Sequence, residues 1–266
     1  MNPKLSDRHL LDTLDALAGI GAIEGGGCAR LALTDEDRAG RDLVVGWMKA
    51  LGLEVRIDAI GNVIGLRAGR ENLAPVMTGS HIDTVRTGGR YDGNYGVLAG
   101  LEVVRALNAA NVTTRRPIAV AFFTNEEGAR FQPDMMGSLV YAGGIGLNEA
   151  YAAADKDGVA VGDELRRIGY LGSTLPGALR PHAFLELHIE QGPILDEEKV
   201  RIGVVESVQG ISWIEYTVTG VSNHAGTTPM RLRRDAGYLA ASVNLFARRL
   251  AWEMGGHQVA TVGALS

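Results

Sequence analysis

The chain has few of the features that mark secreted, membrane or nucleic-acid-binding proteins. Cys28 is the single cysteine among 266 residues, so no intrachain disulfide can form and a reducing compartment is the simpler expectation. Asp and Glu (31) outnumber Lys and Arg (26), and the net charge of −5 predicts no general affinity for nucleic acid or anionic membranes. No apolar run approaches the length of a membrane span, and the N-terminus lacks a signal-peptide core. We therefore expect a cytoplasmic protein.

Aromatic residues are also scarce. The chain has 5 Phe, 3 Trp and 7 Tyr against 36 Gly, which favours many tight turns over an aromatic-rich β-sandwich. Hydrophobic residues make up 46% and charged residues 21%, a composition typical of globular proteins. Cys28 lies in E-G-G-G-C-A-R, where no neighbouring side chain can act as a base, so we interpret it as a structural thiol.

The order of apolar patterns predicts an α/β fold. Helical stripes follow the capping residues Ser6 and Thr34, and two strands joined at Gly61 read as a hairpin. Further strands are predicted at 75–77, 117–123 and 183–191, with a helix starting at Gly96. We expect a mostly parallel sheet flanked by helices in residues 1–208, which form the first domain.

The pattern changes near residue 208. Strands are predicted at 200–207, 211–219 and 258–265, and a helix begins at Asp235. Alternation of apolar and polar residues in the second of these strands indicates a sheet with one face in water. We therefore predict a second domain, residues 209–266, of the α+β class.

Residues that can bind a metal follow three of the predicted apolar strands. His81 comes after the first strand, Glu126 and Glu127 after the second, and His188 lies on the third; Asp92 is on the loop that follows His81. Because parallel strands bring their carboxyl ends to one edge of a sheet, these groups can converge. Imidazole and carboxylate donors suit Zn²⁺, Mn²⁺, Co²⁺ or Ni²⁺.

Two further acidic side chains extend this hypothesis. Asp83, two residues after His81, is placed to hold the second imidazole nitrogen. Glu126 and Glu127 are adjacent, so both can face one site only if the strand has already broken, which Gly128 makes plausible. One carboxylate can then bind metal while the other acts as a general base. The alternative is two solvated glutamates beside Arg130.

Four motifs resemble one known family. They are G-S-H-I-D-T-V-R-T-G-G-R-Y-D-G-N-Y-G-V, N-E-E-G-A-R-F, H-I-E-Q-G-P-I-L and H-A-G-T-T-P-M-R-L-R-R-D-A, and they span most of the chain. In this order they resemble the carbamoylase branch of the dinuclear aminoacylase/carboxypeptidase superfamily. That branch includes N-carbamoyl-L-amino-acid hydrolases, β-ureidopropionase and allantoate amidohydrolase. The resemblance implies a metallo-exopeptidase-like catalytic domain, a lid/dimerisation domain and a homodimer.

The resemblance also implies a role for each matching residue. Two divalent metal ions per subunit would be bridged by Asp92, with His81 and His188 on one ion and Glu127 on the other. Glu126 would be the general base and Asp83 would orient His81. Gln191 would contact the substrate, and His224 would reach the partner subunit's active site and stabilise an oxyanion.

The resemblance further implies which reaction to expect and which metal ligand of the family the chain lacks. The expected reaction is hydrolysis of the carbamoyl C–N bond of N-carbamoyl-L-amino acids to amino acid, CO₂ and NH₃. Three alternatives remain. The first is allantoate amidohydrolase activity, the second is aminoacylase or peptidase activity, and the third is an inactive truncated fragment that only folds or dimerises. Family members are longer and supply a fifth metal ligand, a histidine, from a later segment. His257 does not resemble that ligand, so we expect both domains to be truncated and the site incomplete.

Overall fold

The computed structural model describes residues 2–266 of the chain. The chain divides into two compact units, Met1–Ile202 and Gly203–Ser266. The domain boundary at 208/209 stays a prediction. Among the described residues, no helix combines the length and the apolar character needed to cross a membrane.

The two N-terminal helices begin at their predicted capping residues. Helix α1 (Asp7–Ala18) is capped by Ser6, whose side chain accepts a hydrogen bond from the backbone N–H of His9. Helix α2 (Asp35–Ala50) is capped by Thr34, and three acidic residues occupy its first turn, where the helix dipole favours negative charge. Both helices turn buried side chains such as Leu17, Val44 and Met48 into the main core.

A five-stranded sheet lies at the centre of the first unit. Its strands are β1 (Glu54–Ile57), β2 (Val63–Arg67), β3 (Val76–His81), β4 (Ile118–Phe123) and β5 (Ala183–Leu185), in the order β1-β2-β4-β3-β5. Strands β3, β4 and β5 are parallel, whereas β2 pairs antiparallel with β1 and with β4. The predicted α/β class is confirmed, but the sheet is mixed because the β1–β2 hairpin reverses the chain before it joins β4.

Helices complete the first unit. Helix α3 (Asn94–Ala109) connects β3 to β4, and this long crossover allows the two strands to run parallel. Four short helices follow: α4 (Met136–Ala142), α5 (Leu147–Ala152), α6 (Val161–Ile168) and α7 (Ile194–Glu197). The predicted third strand is shorter than expected, and His188 lies three residues beyond the end of β5 rather than on it.

The second unit contains helical elements only, within the part of the chain that the structure describes. A 3₁₀ helix spans Met230–Leu232, and α8 (Ala236–Met254) begins after its capping residue Asp235, as predicted. The strands predicted at 200–207, 211–219 and 258–265 are not formed, which corrects the α+β prediction for this unit. A strand needs a hydrogen-bonded neighbour, and these segments have none among residues 2–266; Val208 and Trp213 are each 93% exposed.

Candidate metal centre

His81 is the last residue of β3 and lies buried at the carboxyl end of the sheet. Its Nδ1 is 2.9 Å from the main-chain carbonyl oxygen of Asp83. Because a carbonyl can only accept, Nδ1 carries a proton, and in the neutral imidazole the lone pair is then on Nε2. In its neutral form His81 therefore presents Nε2 to a cation.

Asp83 links the loop after β3 to the loop after β4. Its two carboxylate oxygens accept hydrogen bonds from the backbone N–H groups of Glu126 (3.2 Å) and Glu127 (3.3 Å). The carboxylate itself is 4.0 Å from His81 Nδ1, farther than the main-chain carbonyl of the same residue. The predicted orientation of His81 by Asp83 therefore uses the backbone, while the carboxylate positions the two glutamates.

The glutamate pair follows a break in the strand. Strand β4 ends at Phe123, and Asn125 and Gly128 adopt left-handed backbone conformations, with φ of 52° and 62°. The side-chain amide of Asn125 donates to the carbonyl oxygens of Phe131 and Pro133 and so holds this turn. Glu126 Oε2 lies 3.4 Å from His81 Nε2. Asn125 was not predicted as a site residue. Its sequence signal is its position directly between strand and loop, because asparagine tolerates the left-handed conformation.

Three side chains converge beyond the carboxyl ends of β3 and β5. One ligand atom from each of His81, Asp92 and His188 lies within 4.8 Å of the others. His188 Nε2 is 3.2 Å and His81 Nε2 is 3.9 Å from Asp92 Oδ1, and the two imidazole rings stack with centroids 6.1 Å apart. Residues separated by more than one hundred positions in the sequence thus form one potential metal-binding group.

The chemistry of this group fits a divalent cation. His188 Nδ1 is 2.8 Å from the carbonyl oxygen of Ile189, so by the same argument its Nε2 also carries a lone pair. In the neutral forms of the two histidines, two lone pairs face Asp92 Oδ1, which is buried and accepts no hydrogen bond from any residue in 2–266. Facing acceptors repel one another unless a proton or a metal ion lies between them.

Burial and crowding change the acidity of the surrounding groups. Burial raises the pKa of Glu126, with the positive potential of His81 opposing the change and Asp83 adding to it. Burial also raises the pKa of Glu127 to about 7. The positive potential of His81 opposes this rise, and the negative charge of Asp92 adds to it. For His81, burial lowers the pKa, but the carboxylates of Asp83 and Glu126 outweigh it and the pKa rises. Perturbed acids beside a histidine cluster are typical of catalytic sites.

The remaining predicted residues occupy three different positions. Glu127 is near the cluster through its backbone bond to Asp83, but its carboxylate is not one of the three converging groups. Gln191 Nε2 donates to Asp92 Oδ2 at 2.6 Å. His224 lies in the second unit, where its Nδ1 accepts from the N–H groups of Gly226 and Thr227. Its Nε2 therefore carries the proton.

The α/β fold and the cluster of imidazole and carboxylate donors indicate a class of metal-binding α/β proteins. The comparison with known protein families agrees. Residues 77–262 match the model of Peptidase family M20/M25/M40, and the chain belongs to this family. The matched region includes all eight predicted site residues, from His81 to His224.

Individual relatives support the carbamoylase branch. An N-carbamoyl-L-amino-acid amidohydrolase of Rhizobium meliloti is 44% identical over 99% of this chain and 64% of its own length. The crystal structure of a hydantoinase/carbamoylase family amidase from Burkholderia ambifaria superposes with a TM-score of 0.80 at 42% identity, over 96% of this chain and 63% of that one. A ureidoglycolate hydrolase of Arabidopsis thaliana is 36% identical over 96% of this chain and 56% of its own length.

These comparisons confirm the resemblance to the carbamoylase branch. They also show that the chain spans a little under two thirds of the length of the two relatives named first.

Proposed function

We infer that the chain carries the metal-binding part of an amidohydrolase that cleaves the carbamoyl C–N bond of N-carbamoyl-L-amino acids. The convergence of His81, Asp92 and His188 on one point, with Glu126 beside it, is the observation that carries this proposal. The names of the relatives supply the substrate class.

The proposed cofactor is a pair of divalent ions, Zn²⁺, Mn²⁺, Co²⁺ or Ni²⁺. His81, His188 and Asp92 would hold one ion, and Glu127 together with Asp92 would hold the other. Bound divalent ions polarise a carbonyl oxygen and make water acidic enough to attack at neutral pH. The buried Oδ1 of Asp92 supports this proposal because it has no hydrogen-bond partner among residues 2–266, and a cation would satisfy it.

Glu126 is proposed as the group that moves protons. A carboxylate with a raised pKa can take a proton from the attacking water and return it to the departing nitrogen. Hydrolysis then gives a carbamate, which decomposes, so that the products are the amino acid, CO₂ and NH₃. Asp83 supports this role because it holds the backbone of Glu126 at 3.2 Å.

Two residues are proposed to act on the substrate. Gln191 donates to Asp92 in this structure, so its amide lies beside the proposed metal ligands, where a substrate would bind. His224 carries its proton on Nε2 and is exposed, which suits a donor to a developing oxyanion. We propose that His224 serves the active site of a partner subunit in a homodimer.

The proposal is tested with a substrate panel. Metal-free protein is reconstituted with Mn²⁺ or Zn²⁺ and assayed with N-carbamoyl-L-amino acids, allantoate, ureidoglycolate and N-acetyl amino acids. We expect turnover of N-carbamoyl-L-amino acids, and a loss of about 10²–10⁴-fold in kcat for Glu126→Gln with metal binding retained. Turnover of N-acetyl amino acids alone would show an aminoacylase instead. Metal binding without turnover of any substrate would support a non-catalytic fragment.

Ureidoglycolate or allantoate hydrolysis is the second candidate. It is favoured by the relatives named ureidoglycolate hydrolase, because these compounds also combine a ureido group with a carboxylate. Preferential turnover in the corresponding arms of the panel would replace the first proposal with this one.

A further inference from the structure

A fully buried arginine lies next to the proposed metal centre. Arg30 is 0% exposed, and among residues 2–266 its guanidinium donates to neutral acceptors, four oxygen atoms and Cys28 Sγ. Burying a charge is costly unless it is hydrogen-bonded, and here every nitrogen of the guanidinium donates to at least one acceptor in a fixed planar geometry. Gly40 makes the room for it, because a Cβ there would lie 2.8 Å from Arg30 Cδ.

The guanidinium joins both ends of the loop that carries the metal ligands. Nε donates to the carbonyl oxygen of Ile82 at 2.8 Å, and Ile82 stands between His81 and Asp83. Nη2 donates to Asn94 Oδ1 at 2.9 Å, two residues beyond Asp92. The planar guanidinium of Arg30 therefore binds Ile82, directly after the proposed ligand His81. It also binds Asn94, at the start of α3, two residues after the proposed ligand Asp92.

The rest of Arg30 anchors this link. Its Nη1 donates to the carbonyl oxygens of Leu17 (2.9 Å) and Ile20 (2.8 Å) at the end of α1. Its backbone N–H donates to Thr84 Oγ1 at 2.8 Å, and its carbonyl accepts from the N–H of Thr84 at 2.9 Å. Between these fixed points, Gly88 exchanges two backbone hydrogen bonds with Cys28, each 2.9 Å long, while Val85 and Tyr91 are exposed.

We propose that Arg30 is a positioning residue that sets the separation between His81 and Asp92, and thereby the affinity of the metal centre. It touches neither metal nor substrate and acts through Ile82 and Asn94. The inference rests on the proposed metal centre. Lysine at this position keeps the charge but has no planar fork, so it cannot bind Ile82 and Asn94 in the same geometry.

The test compares two arginine-to-lysine variants. Arg67 is a matched control because it also binds an asparagine oxygen, Asn108 Oδ1 at 2.9 Å, and a carbonyl, that of Val112 at 2.6 Å. It pairs with Ile118, at the opposite end of β4 from the glutamates. Mn²⁺ is titrated calorimetrically into the metal-free chain, and the Co²⁺ absorption spectrum reports the ligand geometry.

We expect Arg30→Lys to weaken Mn²⁺ binding by about 10- to 100-fold and to change the Co²⁺ spectrum, with Arg67→Lys close to the wild type. A lower melting temperature with unchanged affinity and spectrum would show a purely structural cation and overturn the proposal.

If Arg30→Lys fails to fold, Asn94→Ala removes only one end of the link, and unchanged metal binding in that variant overturns the proposal equally. Absence of metal binding in the wild type would instead refute the metal centre, and the role of Arg30 with it.

Discussion

Gln191 and Asp92 form a direct hydrogen bond at the proposed metal centre. Gln191 Nε2 lies 2.6 Å from Asp92 Oδ2, while His188 faces the other oxygen, Oδ1. The backbone of Gln191 is left-handed, with φ of 56°, so its side chain is aimed by an uncommon local conformation. The amide of Gln191 and the imidazole of His188 therefore face different oxygens of the same carboxylate.

We expect Gln191→Ala to bind Mn²⁺ as tightly as the wild type or up to about tenfold more tightly, because one exposed hydrogen bond to the carboxylate is lost. The KM for a ureido substrate should rise. Calorimetry and steady-state kinetics measure the two effects. Gln209→Ala is the control, since Gln209 also donates through its amide but in the second unit. Clearly weaker metal binding would show that Gln191 itself supports the metal.

Gly93 packs directly on the ring of His81. A Cβ at this position would overlap Cδ2 and Nε2 of the imidazole, and the φ of 63° is unfavourable for other residues. We expect Gly93→Ala to displace His81, to lower Mn²⁺ affinity by about 100-fold and to cost about 1–3 kcal/mol of stability. Calorimetry and urea unfolding measure these changes.

The control for this prediction is in the same loop. A Cβ at Gly89 would meet no atom within 4 Å, so Gly89→Ala should leave metal binding unchanged. Equal affinities in the two variants would mean that His81 is not held by this contact.

Asp92 is the residue whose loss should affect both metal positions. We expect more than one metal ion per chain in the reconstituted wild type and close to none in Asp92→Asn, because the amide keeps the shape but removes the shared charge. Elemental analysis after gel filtration gives the stoichiometry. Asp163, 74% exposed on α6, provides the control Asp163→Asn. An unchanged metal content in Asp92→Asn would exclude a bridging role.

Asp58 should make the stability of the chain depend on pH. Burial raises its pKa from 3.8 to about 6, although Asn62 and Ile60 donate hydrogen bonds to it. Because the folded pKa is above the unfolded value, the stability from this group is present at low pH and is lost as the pH rises through about 6.

Between pH 4 and pH 7.5 we expect the free energy of unfolding of the wild type to fall by about 2 kcal/mol relative to Asp58→Asn. Urea unfolding of both proteins measures this difference. Parallel pH profiles would contradict the raised pKa.

Several elements could be predicted because their signals are local. Ser6 and Thr34 cap their helices as expected, and the hairpin around Gly61 forms with antiparallel pairing. The convergence of His81, Asp92 and His188 followed from the expectation that parallel strands end at one edge. The individual roles, however, came from the family resemblance.

Other features could not be predicted because they depend on distant partners. The strands expected around Ile211 and Val259 have alternating or apolar sequences, yet no neighbouring strand pairs with them within residues 2–266. Strand β5 stops at Leu185 for a related reason: it pairs with β3 over three residues only. Propensity describes what a segment can form, and pairing decides whether it forms.

The sequence alone determined the order of α1 to α3 and β1 to β5 in the first unit, the residues that cap α1 and α2, and the donor types available for a metal. These properties depend on residues within a few positions of one another. Only the tertiary structure decided that the carbonyl of Asp83, rather than its carboxylate, faces His81 Nδ1, and that Arg30 links Ile82 to Asn94. Such contacts join segments far apart in the chain, and their distances are set by the packing of the whole core.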